Sequence, residues 1–260
     1  MIRFTKKIHR KLFLLFPFSL SALTLAENDA LTIGKKIWHN ECNETIEGLI
    51  SWNEGEEFAS LGIGHFIWYP LGKESIFTET FPDLLVFLTR HHVTLPYWLK
   101  SNTKCPWRTK GEFDKDRRGY KRNDLLRLLS RTVSLQAQFM ADRFDQIEDK
   151  LLQFLTPNEQ KHVKAQISRL SATPEGQYAL LDYLNFKGDG LSPKERYQGR
   201  GWGLQQALLL MPGNTENPLQ EFASSAERLL TDRVELAPSE RNEKRWLNGW
   251  LKRLSTYSAL

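Results

Sequence analysis

The sequence lacks the motifs by which metal-dependent, serine-dependent and nucleotide-binding enzymes are usually identified. It has two cysteines in 260 residues, with neither a Cys-x-x-Cys pair nor a His-Glu-x-x-His run, so the usual zinc sites are disfavoured. No Gly-x-Ser-x-Gly segment supports a serine hydrolase, and no Lys-Ser or Lys-Thr follows its glycine-rich stretch as in a phosphate-binding loop. We therefore expect no metal and no cofactor; the weaker alternative is an irregular zinc site made of His39, Glu41, Cys42 and His65.

Repeats, low-complexity tracts and Gly/Ser linkers are also missing. Beyond residue 26 no apolar run reaches the roughly 20 residues that span a bilayer. Residues 27–260 are therefore predicted to form a single domain without a stable membrane span.

The first 26 residues have the pattern of a secretory signal peptide. Five basic residues precede an apolar run that extends from Leu12 to Leu25, and the small residue Ala26 offers a cleavage point. Cleavage after Ala22 or Ala30 is an alternative, whereas a retained anchor is disfavoured because the run is short. The sequence thus predicts a signal peptide over residues 1–26 and a periplasmic or secreted protein.

The excess of positive charge lies in this predicted signal peptide. The chain has 36 Lys and Arg against 31 Asp and Glu, and the first 26 residues hold five of the basic residues and none of the acidic ones. The mature chain is electrically balanced, so nucleic-acid binding loses its main compositional support. Cys42 and Cys105 would enter an oxidising compartment, where the sequence leaves a disulfide and two buried thiols equally open.

Hydrophobic periodicity predicts a mainly helical, α+β chain with one small β-hairpin near its N-terminus. Residues 30–42 have helical spacing, with Glu41 at the edge of the apolar face, and three glycines punctuate short apolar stretches over residues 49–69. The charged segment Lys110–Arg122 is predicted to be a solvated surface. Further helices are predicted over residues 80–90, from a cap at Asn123 to Met140, over 142–155 and 158–170, from a cap at Thr173 to Leu184, and over 202–211, 217–231 and 238–254.

The segment from Trp38 to Tyr69 contains the side chains that glycoside cleavage needs. One carboxylic acid must protonate the departing oxygen, and a second carboxylate must stabilise the positive ring or activate water. Glu41 suits the first role because its apolar neighbours Ile37, Trp38 and Cys42 would exclude water from it. Glu56 or Glu54, in a glycine-containing turn, suits the second.

Aromatic side chains of the same segment are candidates for stacking on sugar rings. They are Trp52, Phe66, Trp68 and Tyr69. The structural alternative is that these rings belong to the core and that each glutamate is only a helix-capping or ion-paired residue.

The run Ser60-Leu61-Gly62-Ile63-Gly64-His65 resembles the threonine-x-glycine-x-glycine-histidine turn of phage-type lysozymes. The resemblance covers roughly residues 30–70 and implies a lysozyme-like fold with a small sheet against a helical lobe. It implies that Glu41 is the proton donor and that Glu54 or Glu56 is the second carboxylate. It also implies that Ser60 positions water and that His65 lies among the substrate-binding residues.

The chain departs from that pattern in three ways. Serine replaces threonine, Glu54 stands where the family has aspartate, and Glu41 lies 19 residues before Ser60, which is several more than in phage lysozymes. Spacing alone would also allow Glu44 or Glu47 as the acid. We prefer Glu41 because a helix that ends there, with Asn43 next, keeps its side chain on the apolar face. The segment is also similar to a family of secreted proteobacterial proteins of unassigned function that share the pattern I-W-x-N-E.

A second glycine-rich stretch, residues 185–202, is predicted either to form the facing wall of the cleft or to be an interhelical connection. In the first case Tyr197 and Gln205 would contact sugar hydroxyls.

Together these features predict a peptidoglycan-cleaving glycosidase, either a hydrolase or a lytic transglycosylase. Its substrate would be peptidoglycan or a related amino-sugar polymer such as chitosan. The alternative is a non-catalytic lysozyme-like module that binds glycan or regulates a wall enzyme.

Overall fold

A computed structural model describes residues 23–73, 77–100 and 102–257. In these ranges ten α-helices are accompanied by two small antiparallel sheets. The helices are α1 (Glu27–Cys42), α2 (Phe81–Arg90), α3 (Lys110–Lys115), α4 (Tyr120–Arg131), α5 (Val133–Leu151), α6 (Pro157–Ser171), α7 (Pro174–Lys187), α8 (Leu204–Leu210), α9 (Pro218–Leu236) and α10 (Lys244–Ser255). The strands are β1 (Ile50–Ser51), β2 (Ala59–Leu61), β3 (Phe66–Trp68), β4 (Arg196–Tyr197) and β5 (Arg200–Gly201). The fold is therefore mainly helical, as predicted.

The N-terminal sheet has three strands rather than the two of the predicted hairpin. Its order is β1-β2-β3, and all pairs are antiparallel. Ser60, at the centre of β2, pairs with Ser51 on one side and Ile67 on the other. The short β1 was not predicted as a separate strand because two residues are too few to show an alternating pattern.

One hydrophobic core extends from α1 and the N-terminal sheet to α10. Helix α1 packs mainly on α5, and α2 packs on β3. Leu23 and Leu25 are also buried in this core, and the Leu23 backbone N–H donates to Asp145 Oδ1 at 3.3 Å. Both leucines fall within the predicted signal peptide, whose residues 1–22 lie outside the described residues.

Two predicted helix boundaries are confirmed. Asn43 ends α1 in the left-handed conformation, with φ 51° and ψ 35°, and the Thr173 hydroxyl caps α7 by accepting from the Gly176 N–H.

One other helix prediction was wrong. The helix predicted to start at Asn123 begins three residues earlier, after Gly119, and is divided at Thr132 into α4 and α5. The Thr132 hydroxyl donates back to the Leu128 carbonyl at 2.8 Å, a contact that competes with regular helical pairing. The charged segment Lys110–Arg122 lies at the surface as predicted, apart from the buried Phe113. It also contains the short helix α3, whose first turn is capped by the Thr109 hydroxyl.

Candidate functional site

Glu41 lies in the last turn of α1, where four parts of the fold meet. Its side chain is 12% exposed. Its Oε1 atom accepts hydrogen bonds from Arg253 Nη2 at 2.6 Å and from Asn185 Nδ2 at 2.9 Å. Its Oε2 atom faces His65 Nδ1 at 3.6 Å, which is too long for a hydrogen bond. The two carboxylate oxygens therefore have different surroundings: α7 and α10 bind Oε1, and the turn between β2 and β3 faces Oε2.

These partners differ from the apolar neighbours that the sequence suggested for Glu41. Ile37 is fully buried in the core, and Trp38 donates its indole N–H to the Thr45 carbonyl instead of covering the carboxylate. The prediction considered only residues on the same helix, and the side chains that enclose Glu41 come from distant segments. The two alternative acids, Glu44 and Glu47, are both exposed. Glu41 instead faces the turn that carries His65, and this position favours it over the other two.

Arg253 is fixed in place by Asp182, whose side chain is completely buried. Arg253 Nε donates to Asp182 Oδ2 at 2.9 Å, and Arg253 Nη2 donates to Asp182 Oδ1 at 2.8 Å. Asn40 and Tyr257 supply two further hydrogen bonds to the same carboxylate. Burial acts to lower the pKa of Arg253, but the carboxylates of Asp182 and Glu41 outweigh it and raise that pKa above its ordinary value. Arg253 therefore remains charged and presents a fixed donor to Glu41.

The turn that carries His65 is held by a buried glutamine of α5. Gln136 Oε1 accepts from the Ile63 backbone N–H at 3.0 Å, and its amide donates to the Leu129 carbonyl at 2.7 Å. Gly62 has φ of +71°, and a Cβ there would collide with Gln136 Oε1. His65 itself has φ of +49°. The glycine in the motif is thus required by its backbone conformation and by the close approach of Gln136.

The two candidates for a second carboxylate lie in the turn between β1 and β2. The Glu54 side chain is 93% exposed and lies 3.9 Å from Lys110 Nζ. Glu56 accepts from Asn53 Nδ2 at 3.2 Å through Oε1, while its Oε2 is buried without a hydrogen-bond partner among the described residues. Glu54 is the freely solvated one, and Glu56 carries an unsatisfied oxygen.

Ser60 and all four of the predicted sugar-stacking aromatics are buried. Ser60 is 4% exposed. Trp68 has no exposed surface and donates its indole N–H to the Thr103 carbonyl. Trp52, Phe66 and Tyr69 are also buried, and Trp52 donates its indole N–H to the Glu56 backbone carbonyl. A ring without exposed surface cannot stack on a sugar in this conformation, so we assign these rings to the core.

Tyr197 and Gln205 are engaged in contacts within the protein. The Tyr197 hydroxyl donates to Glu243 Oε1 at 2.7 Å, and the buried Gln205 donates to the Leu151 carbonyl at 2.8 Å. The structural alternative for residues 185–202, an interhelical connection, accounts for both side chains. The member of that stretch that reaches Glu41 is Asn185.

A cavity of about 260 Å³ opens beside Glu41 and its partner Asn185. Gly64 of the motif turn and Asn185 of α7 are on its wall, and Arg143 of α5 lies further along. Its apolar wall comprises Phe66, Met140, Ile147, Leu181 and Leu184. Since Asn185 also binds Glu41, the cavity adjoins the carboxylate. No pattern in the sequence would have identified four of the residues around this site: Gln136, Arg143, Asp182 and Arg253.

Both cysteines are free. Burial, followed by the nearby charge of Glu41, raises the pKa of the Cys42 thiol to about 11. Across residues 23–73, 77–100 and 102–257, no group of three or more His, Cys, Asp or Glu side chains is arranged to hold a metal ion. In the same ranges no helix is both long enough and apolar enough to cross a membrane.

Comparisons with protein family models, with curated proteins and with solved structures gave no match to this chain.

Proposed function

We propose that this chain is a lysozyme-like glycosidase of the cell envelope that cleaves the glycan strands of peptidoglycan. The observation that carries the proposal is the position of Glu41 against the motif turn, 3.6 Å from His65. The two parts were singled out from separate stretches of sequence, and a largely buried carboxylate that faces a glycine-rich turn is the arrangement that a glycosidic acid requires.

In this proposal Glu41 donates a proton from Oε2 to the glycosidic oxygen while the bond between that oxygen and the anomeric carbon breaks. Arg253 and Asn185 both bind Oε1, so they fix the orientation of the carboxyl group and leave Oε2 directed toward the motif turn. Fixing a catalytic group in this way removes rotational freedom that would otherwise have to be lost in the transition state. Arg253 and Asn185 are positioning residues, and Asp182 acts one step further out by anchoring Arg253.

The second carboxylate is Glu54 or Glu56, on the turn before β2. Glu54, being solvated, suits a charge that stays ionised and stabilises the positive sugar ring or activates water. Ser60 is the first residue of the motif and lies in β2, just before the turn; in this proposal it positions the attacking water or the sugar's own hydroxyl. The adjoining cavity supplies an apolar wall and a few polar groups, which is the usual composition of a binding site for an organic ligand.

The alternative is a non-catalytic module that binds glycan or regulates a wall enzyme. One observation favours it: Glu41 Oε1 is fully engaged by a guanidinium and an amide. Buried ion-pair networks of this kind also occur as purely structural features. The fold would then retain the cleft without the chemistry.

The experiment that separates these functions is the release of soluble muropeptides from purified sacculi. The mature protein is expected to release fragments, and Glu41→Gln, which keeps the shape and the Asn185 contact, is expected to bind sacculi without releasing them. If both proteins bind and neither releases fragments, the glycosidase proposal fails and the binding module remains.

The function also requires export. The predicted signal peptide would direct the chain to the periplasm or the exterior, where peptidoglycan is accessible. Leu23 and Leu25 belong to the core, which supports processing after Ala22 rather than after Ala26.

A further inference from the structure

Lys187, the last residue of α7, is held between two aromatic rings. Its Nζ atom lies 3.9 Å from the centre of the Phe186 ring and 3.6 Å from the centre of the Trp250 ring. Within the described part of the chain, this amine forms neither a hydrogen bond nor an ion pair. Lys187 does not line the cavity beside Glu41, so the proposed glycan cleavage leaves it unused.

Two arginines pack on the same pair of rings. The guanidinium carbon of Arg253 lies 4.2 Å from the centre of the Phe186 ring, and that of Arg233 lies 4.9 Å from the centre of the Trp250 ring. Each arginine is also paired with a completely buried carboxylate. Among the described residues of this cluster, Lys187 is therefore the basic side chain that lacks an anionic partner.

This environment favours the neutral form of the Lys187 amine. Burial, followed by the positive charges of Arg233 and Arg253, lowers the pKa of Lys187 from 10.5 to about 6, and the charge of Glu243 opposes that effect. At neutral pH the amine is then mostly unprotonated. A desolvated lysine beside other cations is a nucleophile, because its nitrogen lone pair is free to react. The side chain is only partly buried, so a small reagent can reach it.

The surroundings of the amine restrict the reagent that it can take. Two rings at such short distances leave room only for a small molecule, and an uncharged one enters a partly desolvated place without the cost of losing a hydration shell. The product should be an anion, because the neighbouring guanidinium groups would then stabilise it. Carbon dioxide meets these requirements, since it is small and uncharged and converts a neutral amine into an anionic carbamate.

We propose that Lys187 is a modification site at which the neutral amine adds to carbon dioxide, and that Arg233 and Arg253 stabilise the carbamate that forms. The nitrogen lone pair forms the new bond to carbon, one carbon–oxygen π bond becomes a lone pair on oxygen, and the nitrogen releases one proton to solvent. The step is an addition that needs no oxidant or reductant. It supplies the anion that the cluster lacks at this position, and it is independent of the proposed glycan cleavage.

The test treats the full mature chain at about pH 7 with carbon-13-labelled bicarbonate, which equilibrates with dissolved carbon dioxide. A trialkyloxonium reagent then alkylates the carbamate to a stable ester, and proteolysis with mass spectrometry locates the label. A lysine with an ordinary pKa of about 10.4 is almost entirely protonated at this pH and hardly reacts. The peptide that contains Lys187 should therefore carry at least about tenfold more label than the peptide that contains the exposed Lys150 of α5.

Two variants and a change of pH serve as controls. Lys187→Met, which keeps an unbranched side chain between the rings, should lose this label, and the matched variant Lys150→Met should keep it. At about pH 5 and the same concentration of dissolved carbon dioxide, the label on Lys187 should fall by at least about tenfold, because the amine is protonated below its pKa of about 6. The labelled peptide of the unaltered protein identifies the site even if Lys187→Met fails to fold. Absence of label on Lys187, or equal label on Lys187 and Lys150, would overturn the proposal.

Discussion

Arg253 Nη2 donates to Glu41 Oε1 at 2.6 Å across a sequence separation of 212 residues. The contact joins the last helix to the first one. Arg253 also lies 4.2 Å from the Phe186 ring, next to Asn185, so the guanidinium is fixed by α7 as well. The orientation of Glu41 therefore depends on nearly the whole chain being folded, and the candidate site cannot be reproduced by the N-terminal segment alone.

The Asp182–Arg253 pair should contribute strongly to stability. Asp182→Asn removes the charge that faces Arg253 in a completely buried position, and breaking a buried pair by removing one partner typically costs about 3–5 kcal/mol. We expect a loss of that size in the free energy of unfolding measured with urea. Asp114→Asn is the control, because the Asp114–Lys110 pair is 43% and 31% exposed and should contribute less than about 1 kcal/mol. Equal losses in the two variants would contradict the anchoring role of Asp182.

Two glycines with similar backbone angles should respond differently to alanine. Gly55 has φ of +81° and open space where an alanine methyl group would lie, whereas at Gly62, with φ of +71°, the methyl group would displace Gln136. Left-handed strain alone costs about 1–2 kcal/mol, and loss of the buried Gln136–Ile63 hydrogen bond adds about 1–3 kcal/mol. Urea unfolding should therefore show Gly62→Ala to be the less stable variant. Matching stabilities would mean that Gln136 does not hold the turn.

Acid should weaken the connection between α6 and α9. The hydrogen bond from Arg169, opposed by burial and aided by Thr215 and Gly213, lowers the pKa of Glu221 from 4.5 to about 2. Because the folded-state pKa is the lower one, its contribution is complete above about pH 4.5 and is lost as the pH falls toward 2. After allowance for solvent screening we expect up to about 2 kcal/mol. The free energy of unfolding should be measured with urea at pH 5 and at pH 3. Between these two values the unaltered protein should lose more stability than Glu221→Gln, by about this amount. Identical losses in the two proteins would exclude the role of Glu221.

Processing should retain Leu23 and Leu25. Their burial means that a chain starting at Glu27 would expose part of the core, at about 1.5–3 kcal/mol for each leucine. We expect the exported protein to begin at Leu23, as read by intact mass and N-terminal sequencing. Chains that start at Leu23 and at Glu27, both made without export, provide the comparison in urea. An exported protein that starts at Glu27, with a stability equal to that of the longer chain, would refute this prediction.

Local signals in the sequence predicted most of the helices, the position of the sheet and the end of α1 at Asn43. They also singled out Glu41 and the turn that carries His65 as parts of one site, because the motif turn and the helix-terminal glutamate each have a recognisable pattern. Those patterns depend on neighbours a few residues apart, which is the range over which backbone conformation is decided.

The same reasoning could not find the residues that fix the site. Arg253 sits in the last turn of α10, where a basic residue is ordinarily explained by the helix dipole, and Asp182 lies within α7 among apolar residues. Their pairing is a property of helix packing. The sugar-stacking role predicted for Trp68 was wrong for a related reason. Composition cannot tell an exposed ring from a buried one.

The central claim is that Glu41 is the proton donor of a glycan-cleaving site. Release of soluble fragments from sacculi by the unaltered protein, Glu41→Gln, Glu44→Gln and Glu47→Gln tests it most directly, since general acid catalysis contributes about 10²–10⁴-fold. The account predicts a loss of at least about a hundredfold for Glu41→Gln and near-unaltered rates for the two exposed positions. Undiminished release by Glu41→Gln, or loss at Glu44 or Glu47 instead, would contradict it.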